Sequence, residues 1–144
     1  MDPYKKGMFL ENPYYAKTDV CGRLAVVLRS RFDERGLSLI AQPSRCVKRY
    51  DVHELICCDE ETARPGTTAD RIAYLGFVEV TQGGVIVVGD ELHCGQTFLG
   101  TVAGFDETHM PNHLNIVIFN PQRQTGEELK LKTDDEVFFR QKRD

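Results

Sequence analysis

The sequence lacks the features that place a chain in a membrane, outside the cell or on a nucleic acid. No run reaches the 18 or more apolar residues of a membrane-spanning helix. The opening stretch "MDPYKKGMFLENPYY" has no apolar core of the kind a signal peptide carries. The net charge is −4, whereas a nucleic-acid binder usually shows an excess of basic residues. We therefore expect a cytoplasmic protein that binds neither a membrane nor a nucleic acid.

The five cysteines supply neither a disulfide framework nor a redox motif. Their number is odd, no two have the C-x-x-C spacing, and Cys57 and Cys58 are adjacent, which is typical of small buried residues on a strand. Reduced thiols are expected. Catalysis by a thiolate, with Cys58 beside His53 or Cys94 beside a loop histidine, is a weaker hypothesis because no nucleophile motif surrounds these cysteines.

What the sequence does contain is a series of short segments that alternate between apolar and polar residues. With 144 residues and 41% hydrophobic content, the chain is the right size for a single domain over residues 1–144. "RLAVVLR" (23–29) and "VHELICC" (52–58) have period two, and the apolar run "IVIF" (116–119) is typical of a strand buried on both faces. Frequent turn signals and glycines beside the strands favour an all-β fold, specifically a small closed or partly open β-barrel.

Two segments depart from this pattern. Thr67 and Asp70 resemble a capping box, so the prediction allows at most one short helix, near residues 67–74. Residues 1–16 form an arm rich in aromatic residues and proline, which either packs on its own domain or crosses to a neighbouring subunit. This arm and the expected edge strand "EVFFR" near the C-terminus predict a homo-oligomer.

Histidines concentrate in one part of the chain and suggest a metal site. His93, His109 and His113 fall within 21 residues, and Cys94 follows the first of them. Imidazole and thiolate are the usual ligands of zinc, so these four residues are the candidate ligands of a divalent metal. The alternative is a polar loop whose imidazoles bond to backbone or water.

The loop between His109 and His113 decides whether the two histidines meet. Pro111 and Asn112 form a good turn pair. If these two alone make the loop, the histidines fall on opposite faces of the hairpin. If the loop also includes Met110, His109 lies opposite His113, with Cβ atoms about 5 Å apart.

Other polar residues near this loop are candidates for binding a ligand. Asn115 lies in an apolar run at a spacing of two from His113, so a cavity would be lined by both residues. Asp106 serves either as a ligand contact or, more simply, as a cap for the turn. The ligand-binding set predicted from sequence is Asp106, His109, Asn112, His113, Asn115, Arg64 and Arg71.

Residues 64–109 resemble a known family. "RPGTT", "YLGFVEV", "GDEL", "FLGTVAGFD" and His109 are similar to the small (alpha) subunit of 2-amino-4-oxopentanoate thiolase. The resemblance covers about a third of the chain, and the segment "DETHMPNH" departs from it. It implies an accessory barrel beside a larger enzyme subunit, to which the pyridoxal phosphate cofactor would belong.

Two functional classes follow from these observations. The first is a ligand-binding or accessory barrel that takes a small molecule, and it is favoured because no catalytic constellation is complete. The second is a small metal-assisted enzyme that uses the loop at residues 106–113.

Overall fold

The computed structural model describes residues 13–142, and within them every regular element is a β-strand. The all-β prediction is confirmed. No helix in the described part of the chain is long and apolar enough to cross a membrane. The strands are β1 (Val20–Val27), β2 (Arg31–Phe32), β3 (Leu37–Ser38), β4 (Ser44–Val47), β5 (Val52–Cys58), β6 (Thr68–Ala69), β7 (Ile72–Gln82), β8 (Gly84–Val87), β9 (Glu91–Cys94), β10 (Thr97–Asp106), β11 (Asn115–Phe119) and β12 (Glu136–Arg140).

Seven strands form a closed ring of backbone hydrogen bonds. Their order is β1-β12-β9-β10-β11-β5-β7, and β7 pairs back onto β1. Only the pairing of β11 with β5 is parallel within this ring. β2 adds to β7 outside the ring, while β3 pairs with β6 and β4 pairs with β8 as two small separate sheets.

The closing contact between β1 and β7 needs a residue without a side chain. A Cβ atom on Gly76 would lie 2.2 Å from the Val26 carbonyl oxygen, which is far inside van der Waals contact. Gly22 meets the Glu79 carbonyl oxygen and the Val78 side chain in the same way. Both glycines therefore let the two backbones approach closely enough to pair.

The ring strands bury residues on both faces. Leu55 and Cys57 of β5 belong to the large inner cluster, whereas Ile56 and Cys58 belong to a second cluster on the outer face. Leu37 of β3 also belongs to this second cluster and so helps to cover the outer face of β5. The run "IVIF" behaves as predicted, because its residues alternate between the two clusters and are buried in both.

The short helix allowed near residues 67–74 does not form. Thr68 and Ala69 make β6 instead, and β7 begins at Ile72. The Glu60 carboxylate accepts hydrogen bonds from the backbone N–H groups of Asp70 (2.6 Å) and Arg71 (2.9 Å). The Asp70 carboxylate in turn accepts a hydrogen bond from Gly36 N. These long-range contacts hold the segment extended.

The predicted edge position of "EVFFR" is wrong, since β12 pairs with β1 on one side and β9 on the other. Within the described residues the arm packs on its own domain. The Tyr14 hydroxyl donates to Ser44 Oγ (3.0 Å), and Lys17 Nζ lies 2.6 Å from Asp90 Oδ2. The rest of the predicted arm, residues 1–12, lies outside the described residues.

Candidate functional site

An open cleft of about 340 Å³ lies on the outer wall of the ring. The register explains its position: Glu54 of β5 lies opposite Phe77 of β7, so both side chains point to the same outer face. The segment after β1, strand β2 and the loop after β10 form the other walls. The lining residues are Leu28, Ser30, Phe32, Glu54, Tyr74, Phe77, His109 and His113.

The loop after β10 brings two histidines of the cleft together. The backbone N–H groups of Asn112 and His113 both donate to the His109 carbonyl, at 2.9 and 3.3 Å. The connection between the two strands runs from Glu107 to Leu114, because β10 ends at Asp106, which pairs with Asn115 at the start of β11. It is longer than either hairpin loop considered from the sequence, yet its turn places the two imidazole centroids 5.1 Å apart.

The tautomer of His113 follows from its neighbour. Its Nδ1 lies 2.7 Å from Asn112 Oδ1, and because an amide oxygen can only accept, Nδ1 carries the hydrogen. The other nitrogen, Nε2, is buried, has no hydrogen-bond partner and lies 3.6 Å from Glu54 Oε1. At this distance the two groups form an ion pair when Nε2 also carries a hydrogen.

Glu54 is the partner of His113 at this point. Its side chain is only 11% exposed, and burial raises the pKa of its carboxyl group, opposed by the charges of His109 and Arg35. The carboxyl group and the imidazole satisfy one another when they share a proton.

Arg35 contacts two residues of the cleft lining. Its Nε donates to the Tyr74 hydroxyl (3.0 Å), and its Nη2 lies 3.5 Å from His109 Nε2.

His53 positions the loop without lining the cleft. The Leu114 N–H donates to His53 Nδ1 (3.0 Å), and Glu54 N donates to the Leu114 carbonyl (3.0 Å). His53 Nε2 lies 3.3 Å from Asp51 Oδ2, so Nε2 carries the hydrogen. Burial lowers the pKa of His53, which keeps it neutral and able to accept.

Asp106 and Asn115, both predicted to contact a ligand, have structural roles. Asp106 is fully buried and accepts four hydrogen bonds, from Ser38 N, Thr108 N, Thr108 Oγ1 and Asn115 Nδ2. It is therefore the cap of the turn, the simpler of the two sequence interpretations. Asn115 turns its amide towards Asp106 and does not line the cleft, so the spacing of two from His113 does not put both in one cavity.

Arg64 and Arg71 also lie outside the cleft lining. The guanidinium of Arg71 pairs with Asp59 (3.0 Å) and approaches Asp33 (3.8 Å), while Arg64 is exposed. Arg71 is thus used in surface ion pairs.

The four proposed metal ligands do not come together. His93 stacks on Phe138 and lies opposite Phe98, eight residues along β10 from Asp106, which corresponds to about 26 Å at ~3.3 Å per residue. His109 and His113 lie beyond the Asp106 end. Within residues 13–142 no group of three or more histidine, cysteine, aspartate or glutamate side chains could hold a metal ion.

The thiolate hypothesis finds no support in the surroundings of Cys58. Its thiol faces the Glu60 carboxylate at 3.4 Å, and burial raises its pKa to about 12. A thiol with that pKa is not a nucleophile near neutral pH. All five cysteines are free.

Sequence reasoning missed Glu54, Phe77 and Tyr74 as cleft residues. The signal available for Glu54 was a lone carboxylate within the apolar strand "VHELICC". The aromatic residues gave none, because Phe77 and Tyr74 sit in a strand with many apolar neighbours and only the register places them beside Glu54.

Comparison with known proteins identifies the family to which the chain belongs. Residues 14–140 match the model of a family described as "Family of unknown function (DUF6917)". No curated protein and no solved structure matches the chain.

Proposed function

Since the chain belongs to the DUF6917 family of unknown function, we propose its role from the cleft: it binds a small organic molecule on the outer wall of the ring. The observation that carries the proposal is the lining of this open cleft, in which the Glu54 carboxyl group and the imidazoles of His109 and His113 lie together among apolar side chains. The apolar side chains of Leu28, Phe32 and Phe77 supply a surface for the body of the ligand. A few polar groups in a largely apolar concave site are typical of small-molecule sites.

The proposal is tested by screening a library of small cationic, neutral and anionic fragments against the isotopically labelled chain by NMR. We expect the hits to shift backbone amides of residues 28–32, 74–77 and 109–114. His113→Ala should remove these shifts, because it deletes a ring that lines the cleft beside Glu54 and Phe77.

Tyr50→Ala is the matched control. Tyr50 is 69% exposed and does not line the cleft, so its removal should leave fragment binding unchanged. Hits that bind His113→Ala as well as they bind the parent chain would refute the cleft as the ligand site.

A second candidate is an enzyme that uses the loop at residues 106–113. The observation in its favour is the juxtaposition of two imidazoles and a carboxylate, His109, His113 and Glu54, groups that commonly move protons. The metal-assisted version requires a third ligand with suitable geometry, which the described residues do not provide. Mass spectrometry of untagged protein tests it: stoichiometric divalent metal that is lost in His113→Ala would favour this candidate.

We also propose that the protein self-associates or docks on a larger subunit. His93, Phe98 and Phe138 form a contiguous aromatic row on the outside of β9, β10 and β12, with centroids 5.3 and 5.4 Å apart. Exposed aromatic surface of this kind is common at interfaces. The resemblance to the small subunit of 2-amino-4-oxopentanoate thiolase supports the docking version, and the free cysteines support a cytoplasmic location.

Sedimentation at micromolar concentration tests self-association. A single 16.4 kDa species would refute it. A dimer that dissociates on Phe98→Ala would locate the interface on the aromatic row. Co-purification of a larger subunit, lost in the same variant, would support the docking version instead.

A further inference from the structure

Arg35 is a half-buried cation that forms no ion pair with the described residues. Its guanidinium contacts the Tyr74 hydroxyl and the His109 imidazole instead. Six other arginines pair with carboxylates: Arg23, Arg31, Arg45, Arg71, Arg123 and Arg140. The remaining described arginines are exposed to water: Arg29, Arg49 and Arg64. Arg35 is therefore the place in the described chain where a partly desolvated guanidinium lacks an anion.

The Glu54 carboxyl group lies near Arg35 but does not supply that anion. Glu54 Oε1 is 3.6 Å from His113 Nε2, and burial raises the pKa of Glu54, which favours a proton shared by the two groups. A neutral acid beside a neutral imidazole and a carboxylate beside an imidazolium both have no net charge. With this proton in place, Arg35 gives this side of the cleft a net positive charge.

The hydrogen-bond donors gather at the Arg35 side of the cleft. The Tyr74 hydroxyl accepts from Arg35 Nε, so its own hydrogen remains available to a ligand. Arg35 contacts its neighbours through Nε and Nη2, which leaves the hydrogens of Nη1 without a partner in the described chain. A carboxylate has two oxygens in one plane, each of which accepts from donors arranged in this way.

Apolar side chains form much of the rest of the cleft. Leu28, Phe32 and Phe77 line it, and Phe32 packs edge-on against the Tyr74 ring (5.9 Å). A ligand held at Tyr74 by a polar group therefore lies with its body against Phe32 and Phe77. An apolar surface with a few polar groups at one side selects a molecule with the same division.

From these observations we infer that the ligand is a carboxylate with an apolar body, whose oxygens accept from the Arg35 guanidinium and the Tyr74 hydroxyl. This inference rests on the proposed ligand-binding function and specifies its ligand class. The carboxylate supplies the anion that Arg35 lacks, while the body of the ligand lies against Phe32 and Phe77. A single guanidinium matches the single negative charge of a carboxylate.

Three probes that share one ring and differ in charge test the inference. Benzoate is an anion at about pH 7, since carboxyl groups have pKa values near ~4, whereas benzamide has nearly the same shape and no charge. Benzylamine is a cation. Each is titrated into the labelled full chain while amides of residues 28–35, 74–77 and 109–114 and the side-chain Nε–H of Arg35 are followed. We expect benzoate to bind at least about tenfold more tightly than benzamide, and benzylamine to give no saturable shift.

The outcomes separate this inference from the proposed function. If benzamide binds as tightly as benzoate, or benzylamine binds best, the carboxylate inference is overturned while the cleft remains a ligand site. If no probe shifts these signals, the inference fails together with the cleft. The comparison uses the unmodified chain and so depends on no variant.

Two variants then assign the source of the discrimination. Arg35→Gln removes the charge and keeps a hydrogen-bond donor, and benzoate should fall to within about threefold of benzamide. Arg29→Gln is the matched control, because it removes the same charge from an exposed side chain that does not line the cleft. It should leave the preference for benzoate unchanged. An equal preference for benzoate in Arg35→Gln and Arg29→Gln would show that Arg35 does not recognise the anion and would overturn the inference.

Discussion

The two ring nitrogens of His53 have different hydrogen-bond roles, and together these roles require the neutral imidazole. Nδ1 accepts from the Leu114 N–H, and Nε2 donates to Asp51. Protonation of Nδ1 would replace this acceptor with a second donor and leave the Leu114 N–H without a partner. Because Leu114 adjoins His113, the protonation state of a residue outside the cleft controls the geometry within it.

This arrangement predicts a pH-dependent stability. Burial lowers the pKa of His53 from its ordinary value of 6.5, so below that pH the unfolded chain binds more protons than the folded one. The contribution of His53 is therefore fully present above 6.5 and is lost as the pH falls towards the folded pKa. Urea unfolding between about pH 7.5 and pH 5 should show this decline.

His53→Asn is the control, since its side-chain oxygen can take the place of Nδ1 but does not titrate. It should remove part of the pH dependence, whereas His53→Ala should cost about 1–3 kcal/mol at about pH 7.5, because Leu114 N–H loses its acceptor, and less at lower pH. Glu54 acts in the opposite sense, as its raised pKa favours folding at lower pH. Identical pH profiles for the parent and His53→Asn would contradict the assignment.

At the scale of single residues, the sequence predicted some of the cleft residues and missed others. The composition of the loop indicated His109 and His113 as site residues, but neither hairpin loop considered from the sequence forms, and the two rings meet within a longer connection. The sequence could not predict Glu54 or Phe77, whose positions depend on the register of β5 against β7, about 20 residues apart in sequence. It also placed Asn115 in the cavity, since spacing gives the face of a strand and not the partner that the amide finds there.

At the scale of elements, the pairing of β1 with β7 depends on close backbone approach. Gly76→Ala would put a Cβ atom 2.2 Å from the Val26 carbonyl oxygen, and the strands would have to separate. We expect a loss of about 3 kcal/mol in the free energy of unfolding, measured with urea.

Gly66→Ala separates this steric effect from backbone strain. Gly66 has a φ of 87°, but a Cβ atom added to it would meet nothing within 4 Å, so the cost should be about 1 kcal/mol. Equal losses in the free energy of unfolding for the two variants would show that Gly76 is not needed for the close approach of β1 and β7.

The elements themselves were largely predictable because alternation is a local signal. The failure at residues 67–74 has a specific physical reason. Thr67 and Asp70 have the spacing of a helix cap, yet Glu60 binds the backbone of Asp70 from ten residues away. "EVFFR" was assigned to an edge because nothing in a single strand reveals whether it has one neighbour or two.

At the scale of the whole molecule, a buried ion pair joins the segment before β1 to the residue before β9. Lys17 and Asp90 are 2.6 Å apart, with side chains 8% and 4% exposed. Lys17→Met leaves the Asp90 carboxylate buried without its cation, so stability should fall by about 3–5 kcal/mol in thermal or urea unfolding.

Arg23→Met is the matched control for that variant. Arg23 pairs with Glu79 at 2.9 Å but is 54% exposed, so its loss should cost much less than the loss of Lys17. The double variant Lys17→Met with Asp90→Asn should recover part of the loss. Equal losses for the two single variants would show that burial does not strengthen the pair of Lys17 with Asp90.

The ring has one more consequence, for the order in which the protein is made. β1 and β12 are the first and last strands of the described chain, and they pair with each other. During translation, β1 and β9 must wait with open edges until residues 136–140 leave the ribosome. In that interval the β12 of another copy can fill the gap, which would produce a strand-exchanged dimer. The speed at which the last segment emerges therefore sets how long a nascent chain is exposed to its neighbours.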